Sequence, residues 1–475
     1  MNDGIRSTSR RRILQGISGS LAALGLAACE YQSAPLGPPP VATEMVVPVP
    51  TKRPRLEPVE VELKIGPISD RNSEAFQESV RVFHSYYPGI RIRVEFPSGG
   101  ASQREWIAVT FAAGSGIDVA QISGSHVEFT KYNFIRKLHE FAKADNSFNI
   151  EPYYSRIVDY YNTPGEGLWC LPWSYATETL YYNKRHFTEA SIPTPDFNWT
   201  WDDVRDVARK LTKKAGSDID TEVWGVEFRL SHLDYVLRSF GGGFPIGEPE
   251  NSERIRAGNI AAMRFLSDLV KDDRVHPYPA LGWSDGFALG KVSMAFLPEW
   301  ASARLNAIEG LDYDVAPMPQ GPAGSVTSFA VSGVAMGGYD CFHPDHSWEV
   351  LKWFAHADFG KWDVARAILF PEGMPTALIA ANENCWTTHH QEPDNRRLFL
   401  QNTENAMVPF SDSPWWPHLS EAMLYSDLRR YVSSMLVGRA SVEEGVERLE
   451  QSWKTVWPTI AEALSKDNAS VGCRF

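Results

Sequence analysis

"FHSYYPGIRIRVEF", residues 83 to 96, changes its hydrophobic period at a single Pro-Gly pair. Ahead of Pro88-Gly89, the apolar residues Phe76, Val80, Phe83 and Tyr87 recur at i, i+4, i+7 and i+11, which marks one face of a helix. Behind it, Ile90, Ile92, Val94 and Phe96 alternate with Arg91, Arg93 and Glu95, the period of a strand. Upstream, Val61, Leu63 and Ile65 alternate in the same way. Strand, helix, strand in that order is a βαβ unit, because parallel strands need a crossover between them. "GIDVAQIS" (116–123) reads as another strand, entered after a helix around Trp106 to Ala113. The folded part of the chain therefore opens as an α/β domain with a parallel sheet.

The same signals continue downstream. Thr200 and Asp203 form a capping-box pattern, and Val204, Val207, Ala208 and Leu211 share a face behind it. Ala262, Phe265, Leu266 and Leu269 mark a second amphipathic helix. Val292, Met294 and Phe296 alternate as a strand that Pro298 terminates. Gly438 stops one helix, and Ser441 and Glu444 open the next, with Val442, Val446, Leu449, Trp453 and Val456 in one stripe.

The beginning of the chain obeys different rules. "SRRRILQGISGSLAALGLAAC" (9–29) places three arginines before an apolar run from Ile13 to Ala28. That run is too short for a spanning helix of about 20 apolar residues, and glycines dilute it. A basic region followed by a short apolar one is the pattern of an export signal. Ser9 to Leu14 resembles the twin-arginine motif, although a general secretory signal can carry arginines too. Leu26-Ala27-Ala28-Cys29 resembles a lipobox, which implies a lipid on the Cys29 sulfur and attachment to the cell membrane. Residues 30–58 hold eight prolines and no apolar period, as expected of an extended tether.

Beyond the signal and tether, about 415 of the 475 residues remain, enough for two or three domains. The apolar fraction of 43 % supports substantial cores. With 46 basic against 59 acidic residues the net charge is −13, and no Lys/Arg cluster follows the tether, so nucleic acid is not an expected partner. Cys170, Cys341, Cys385 and Cys473 admit three complete disulfide pairings in an oxidising compartment. Their spacing fits no metal site. His343, His346, His389 and His390 lack a matching ligand set and read as turn or surface residues, so no metal and no cofactor is expected.

The order of segments resembles the family 1 extracellular solute-binding proteins, the maltose-binding-protein-like receptors of ABC importers. The resemblance is carried by "FHSYYPGIRIRVEF" (83–96), "AAGSGIDVAQIS" (112–123), "GLWCLPWSYATETLYYNKRHFTEASIPTP" (167–195) and "WTWDDVRDVARKLT" (199–212). It continues through "FALGKVSMAFLPEWASARL" (287–305), "DYDVAPMPQGPAGS" (312–325) and "PEGMPT" (371–376). Each motif is weak alone; their order over residues 60 to 460 is the signal. It implies a type II periplasmic-binding fold of two lobes, each a mainly parallel sheet flanked by helices, closing on a ligand between them. By that resemblance lobe one comprises 60–175 plus 317–372, and lobe two 176–316 plus 373–475.

The family builds its cleft from strand ends and the loops after them, which selects candidates here. Trp300, after Pro298-Glu299, is expected to stack on the apolar face of a sugar. Trp173 and Tyr175 in "PWSY", Ser69 and Asp70 after the first strand, and Ser125 and His126 after "VAQIS" are further candidates. So are Tyr235, the glycine run around Gly242, and Trp283. Each has a plainer alternative as a cap, turn or packing residue, and Asp118 reads as a structural turn residue. The resemblance implies a monomeric, lipid-anchored binding protein that delivers a carbohydrate to an ABC-transporter permease, with no catalytic residues. Two other readings stay open: a glycan hydrolase recruiting Asp70, Glu178 or Glu299, and the same fold binding a polyamine or phosphorylated polyol.

Overall fold

A computed structural model describes residues 61–66, 74–95, 103–114, 116–124, 126–131, 133–163, 167–214, 222–228, 233–243, 252–277, 285–338, 341–355, 374–375, 393–403, 406–407 and 424–466. Residues 1–29 and 30–58, expected as an export signal and a tether, and Cys385 and Cys473 lie outside these residues.

The opening unit is β1 (Val61–Ile65), a helix at Glu74–Tyr86, and β2 (Ile90–Val94), with β1 and β2 parallel from Val61↔Ile90 to Ile65↔Val94. Phe76, Val82 and Phe83 bury the helix face, while Val80 and Tyr87 are half-buried at its margin. Next comes β3 (Val119–Ser123), parallel to β1. Asp118 accepts a hydrogen bond from the Lys64 backbone N–H at 2.8 Å, so it ties β3 to β1 as a structural residue.

A short hairpin of β4 (Asn162–Thr163) and β5 (Gly167–Leu168) precedes β6 (Cys170–Asn183). Strands β7 (Trp224–Glu227), β8 (Val292–Pro298), β9 (Tyr313–Ala316) and β10 (Thr327–Met336) follow, with the two-residue β11 (Met374–Pro375) and β12 (Ala406–Met407) after them. Among the described residues the main sheet runs β2-β1-β3-β10-β6-β8-β7. Its outer pairs β1–β2, β1–β3 and β7–β8 are parallel, whereas β6 and β10 run antiparallel to their principal neighbours.

Strand β6 is shared between two halves of this sheet. Its residues Cys170 to Thr177 pair with β10, and Glu178 to Asn183 pair with β8 and β9. Buried apolar side chains form two clusters around it. One joins Val61 to Tyr175 with Val331, Trp353, Leu398 and Phe399; the other gathers Leu180, Trp201, Tyr235, Leu266, Phe296, Met435 and Trp453. All seven residues of β8 are buried although Val292, Met294 and Phe296 alternate with smaller residues in sequence. Met294 and Phe296 on one face join the second cluster, and Ala295 and Leu297 on the other join the first, so this strand has no solvent side.

Local signals and packing agree at the helices of the second cluster. At Trp201–Leu211, the Thr200 hydroxyl accepts from the Asp203 N–H at 3.2 Å and Asp203 accepts from the Thr200 N–H at 2.8 Å. Such a cap contributes about 1 kcal/mol. The long helices Ser252–Lys271, Leu424–Leu436 and Val442–Lys466 complete the layer, with Gly438 at φ 72° between the last two. An L side chain rarely adopts that conformation, so glycine suits the stop. Cys170 and Cys341 are buried free thiols, both pushed up in pKa by burial.

Candidate ligand-binding site

A strand in the middle of a sheet flanked by helices is covered on both faces, so exposure there shows where the cover stops. On β10, Phe329, Val331 and Gly333 are buried, yet Ala330 is exposed and Ser332 half-buried between them. On β6, Ser174 is the one residue that is not buried. Ser123 is exposed at the end of β3. Register brings these positions together: Ser332 lies opposite Ser123 on one side and Ser174 on the other, with Ala330 opposite Ala176. The Ser123 and Ser332 hydroxyls are 3.2 Å apart, and the Gln121 side-chain amide donates to Ser123 Oγ at 3.3 Å. A register shift beside Ser332 leaves Trp173 unpaired as an extra residue on β6.

Trp300 follows the strand that leads to this opening, and Pro375 of β11 pairs with Ser174 on the edge of β6 away from β10. Pro298 lies opposite Glu178, and the Glu299 N–H donates to the Thr177 carbonyl at 3.1 Å, so the chain leaves β8 at the level of Ala176. There the backbone turns into the short helix Ala301–Leu305, and the Trp300 ring is 44 % exposed. The turn is held from beneath. Glu299 is 1 % exposed, and Arg396 Nη2 donates to its Oε1 at 2.8 Å. Ser302 Oγ donates to the Glu299 carbonyl at 2.7 Å, and the Tyr181 and Ser302 hydroxyls are 2.9 Å apart. Burial pushes the Glu299 carboxyl above the usual carboxylate range, against the opposing pull of the Arg396 guanidinium.

Arg396 belongs to a segment that grips several elements in succession. Asn395 donates to the Asp314 carboxylate from its backbone N–H at 3.0 Å and from its side chain at 2.9 Å. Helix Arg397–Asn402 then runs beside β6, where Thr177 Oγ1 donates to the Phe399 carbonyl at 2.9 Å. The Tyr175 hydroxyl is 3.2 Å from Thr403 Oγ1.

The other expected contacts are placed differently. Tyr175 is 2 % exposed, its ring between Tyr154 and Phe329 in the first cluster, and Trp173 is buried in the same cluster. His126 is buried beside Tyr161. Tyr235 is 0 % exposed and stacked on Trp201, so its ring offers no surface to a ligand in this conformation. At Gly242 a Cβ would meet Asn259 and the Gly258 backbone at 2.3–2.9 Å. That glycine lets a turn approach helix Ser252–Lys271, and the Asn259 side chain bonds both the N–H and the carbonyl of Gly243. Ser69, Asp70, Ser125 and Trp283 lie outside the described residues. Among the described residues no group of three or more His, Cys, Asp or Glu is placed to hold a metal ion.

Sequence reasoning passed over Ser123, Ser174, Ser332 and Arg396. Ser123 ends a strand that periodicity finds, but its neighbours across the sheet come from segments far along the chain. No local pattern carries that register.

The sequence profile of the bacterial extracellular solute-binding proteins matches residues 69–358. A putative binding protein of Brucella abortus (strain 2308) is 22 % identical over 310 residues, covering 63 % of this chain and 73 % of the relative. Among solved structures, the ABC substrate-binding protein of Listeria monocytogenes in complex with cycloalternan has a TM-score of 0.69 at 19 % identity, covering 83 % of this chain and 98 % of that one. Maltose-bound MalE3 of T. maritima gives 0.66 at 19 % identity, covering 83 % and 99 %. At such identities the likeness establishes the shared fold, a type II periplasmic-binding architecture.

Proposed function

The chain belongs to the bacterial extracellular solute-binding protein family, and from that premise we propose that it captures a carbohydrate and hands it to the permease of an ABC importer. It is a binding protein and not an enzyme, and its family works outside the cytoplasm. The observation that carries the carbohydrate reading is Trp300, a large aromatic ring left 44 % exposed at a strand end beside an uncovered patch of central sheet. Strand ends are where α/β folds take their ligands, and an aromatic plane suits the C–H face of a sugar. The maltose and cycloalternan held by the two structural relatives point the same way.

Residues 60–175 plus 317–372 form one lobe and 176–316 plus 373–475 the other in this reading. The change of partners along β6 supports it, Cys170 to Thr177 pairing with β10 and Glu178 to Asn183 with β8 and β9, although the first buried cluster also takes in Tyr181, Phe287, Leu297, Tyr313 and Phe399 of the second span. Ser69, Asp70, Ser125 and Trp283 supply the remainder of the cleft in this reading, while the buried His126, Trp173 and Tyr175 pack behind it. Affinity comes from closure of the lobes around the sugar.

Trp300→Ala is expected to weaken sugar binding by about 1–3 kcal/mol, roughly one to two decades in dissociation constant. The ligand-free melting temperature should barely move, because the ring is not part of a core. Titration calorimetry and a melt on the same variant decide it. Lost stability with intact affinity would return Trp300 to a packing role.

The lipobox pattern at Leu26 to Cys29 supports an anchored lipoprotein, and the paired arginines support export by the twin-arginine route. Cys29→Ala should then abolish incorporation of labelled fatty acid and release the protein from the membrane fraction. Unchanged membrane retention would sink the anchor. Among the described residues no helix is long and apolar enough to cross a membrane.

A further inference from the structure

Resting on the carbohydrate reading, we propose that Ser123, Ser332 and Ser174 form a three-hydroxyl floor that selects an uncharged, hydroxyl-rich ligand lying across the strands, with Trp300 as its side wall. Three adjacent strands contribute one serine each at matched register, and neighbouring strands are about 4.8 Å apart. The floor therefore offers an evenly spaced row of groups that both donate and accept. A hydroxyl-bearing ligand is matched by such groups whichever way its own protons point.

The surroundings argue against an anionic ligand. A charge brought into a closed cleft needs a compensating charge, or it loses its hydration without return. Arg396, the basic group beneath the Trp300 turn, is engaged by Glu299 at 2.8 Å and is itself largely buried. By strand alternation the side chains of Ser174, Ala176 and Glu178 share one face of β6, and the buried Glu178 carboxyl offers no positive charge for an anion to pair with. Ala330 and Ala176, paired beside the serines, leave the floor flat enough for a ring to rest on.

The position of Ser332 makes it the informative one. It is central in the row, within 3.2 Å of the Ser123 hydroxyl, so its loss interrupts the row and leaves a ligand hydroxyl without its partner. A site built to bond a hydroxyl discriminates strongly when either partner is removed.

The test screens the full chain against an array of neutral mono- and oligosaccharides, with glycerol 3-phosphate and spermidine as charged comparators. The best ligand is then titrated against Ser332→Ala, Ser174→Ala and Trp300→Ala, each checked for an unchanged melt. Capture of a neutral sugar is expected, with a tenfold or greater loss of affinity in Ser332→Ala and a smaller loss in Ser174→Ala. If Ser332→Ala, or a Ser332→Val variant made to block the floor, binds that sugar as tightly as the parent while Trp300→Ala does not, the floor is overturned and the carbohydrate reading stands. Capture of glycerol 3-phosphate or spermidine alone, or of nothing on the array by a folded protein, overturns both.

Discussion

Arg396→Met is expected to destabilise the ligand-free protein by about 3–5 kcal/mol, the range for removing one partner of a buried ion pair. The reason is what remains. Glu299 is 1 % exposed, and the Arg396 guanidinium approaches its carboxylate at 2.8 Å. Without the guanidinium, the carboxylate keeps its desolvation cost and loses the compensating charge. Glu299→Gln combined with Arg396→Met should recover much of the loss, because neither group then carries a charge. The pH dependence has a definite sign. In the single variant the folded-state pKa of Glu299 lies above its unfolded value, so the folded protein takes up a proton that the unfolded chain does not. The deficit should therefore shrink as pH falls from 7 towards the unfolded carboxyl pKa of about 4.3. Chemical denaturation of the three proteins across that range measures it. A deficit below about 1 kcal/mol, or one indifferent to pH, would show that the pair contributes only packing.

A comparable loss is expected for Lys352→Met, about 3–5 kcal/mol, on helix Pro344–Phe354. Lys352 Nζ lies 2.6 Å from Asp145 Oδ2 and 2.8 Å from Glu349 Oε1, with its side chain 5 % exposed. Trp348 Nε1 also donates to Asp145 Oδ2 at 3.0 Å, and the Tyr87 hydroxyl donates to Glu349 Oε2 at 2.8 Å. This network ties helix Glu74–Tyr86 to helix Pro344–Phe354 and to the turn at 145–147. Burial would raise the Asp145 carboxyl, but hydrogen bonds from Lys352, Ser147 and Trp348 outweigh it and hold the group well below the usual carboxylate range. A depressed folded-state pKa stabilises above the unfolded value, and that contribution fades as pH falls below about 4. Lys352→Met should consequently lose stability at pH 7 and show a flatter acid limb than the parent. Equal acid limbs in the two proteins would mean that Lys352 does not govern Asp145.

What could be read in the sequence was whatever depends on near neighbours. The βαβ opening follows from the period change at Pro88-Gly89, and the Thr200–Asp203 cap from residues three apart. Trp300 stands out because Pro298 ends its strand. Tyr235 did not reveal its burial, since a tyrosine near a glycine run looks the same facing a cleft or facing Trp201. Gly242 is a similar case: the reason for its missing side chain is Gly258 on another element. The serine row is the clearest example, because it exists only once β3, β10 and β6 are in register.

Strand β6, shared by two halves of the sheet, also sets a timetable for synthesis. On the β10 side, Ser332 meets Ser123 across 209 positions, and Thr177 reaches its Phe399 partner across 222. At 5–20 residues per second, β3 emerges roughly 10–40 s before the strand that covers its free edge. Until then the growing chain carries an unpaired, apolar strand edge, the feature that templates aggregation. Such long-range pairing also makes folding slow once the chain is complete. The protein therefore has a long vulnerable interval between translation and its native state, and a chaperone that shields β3 and the first half of β6 would act on the part of the chain that waits longest.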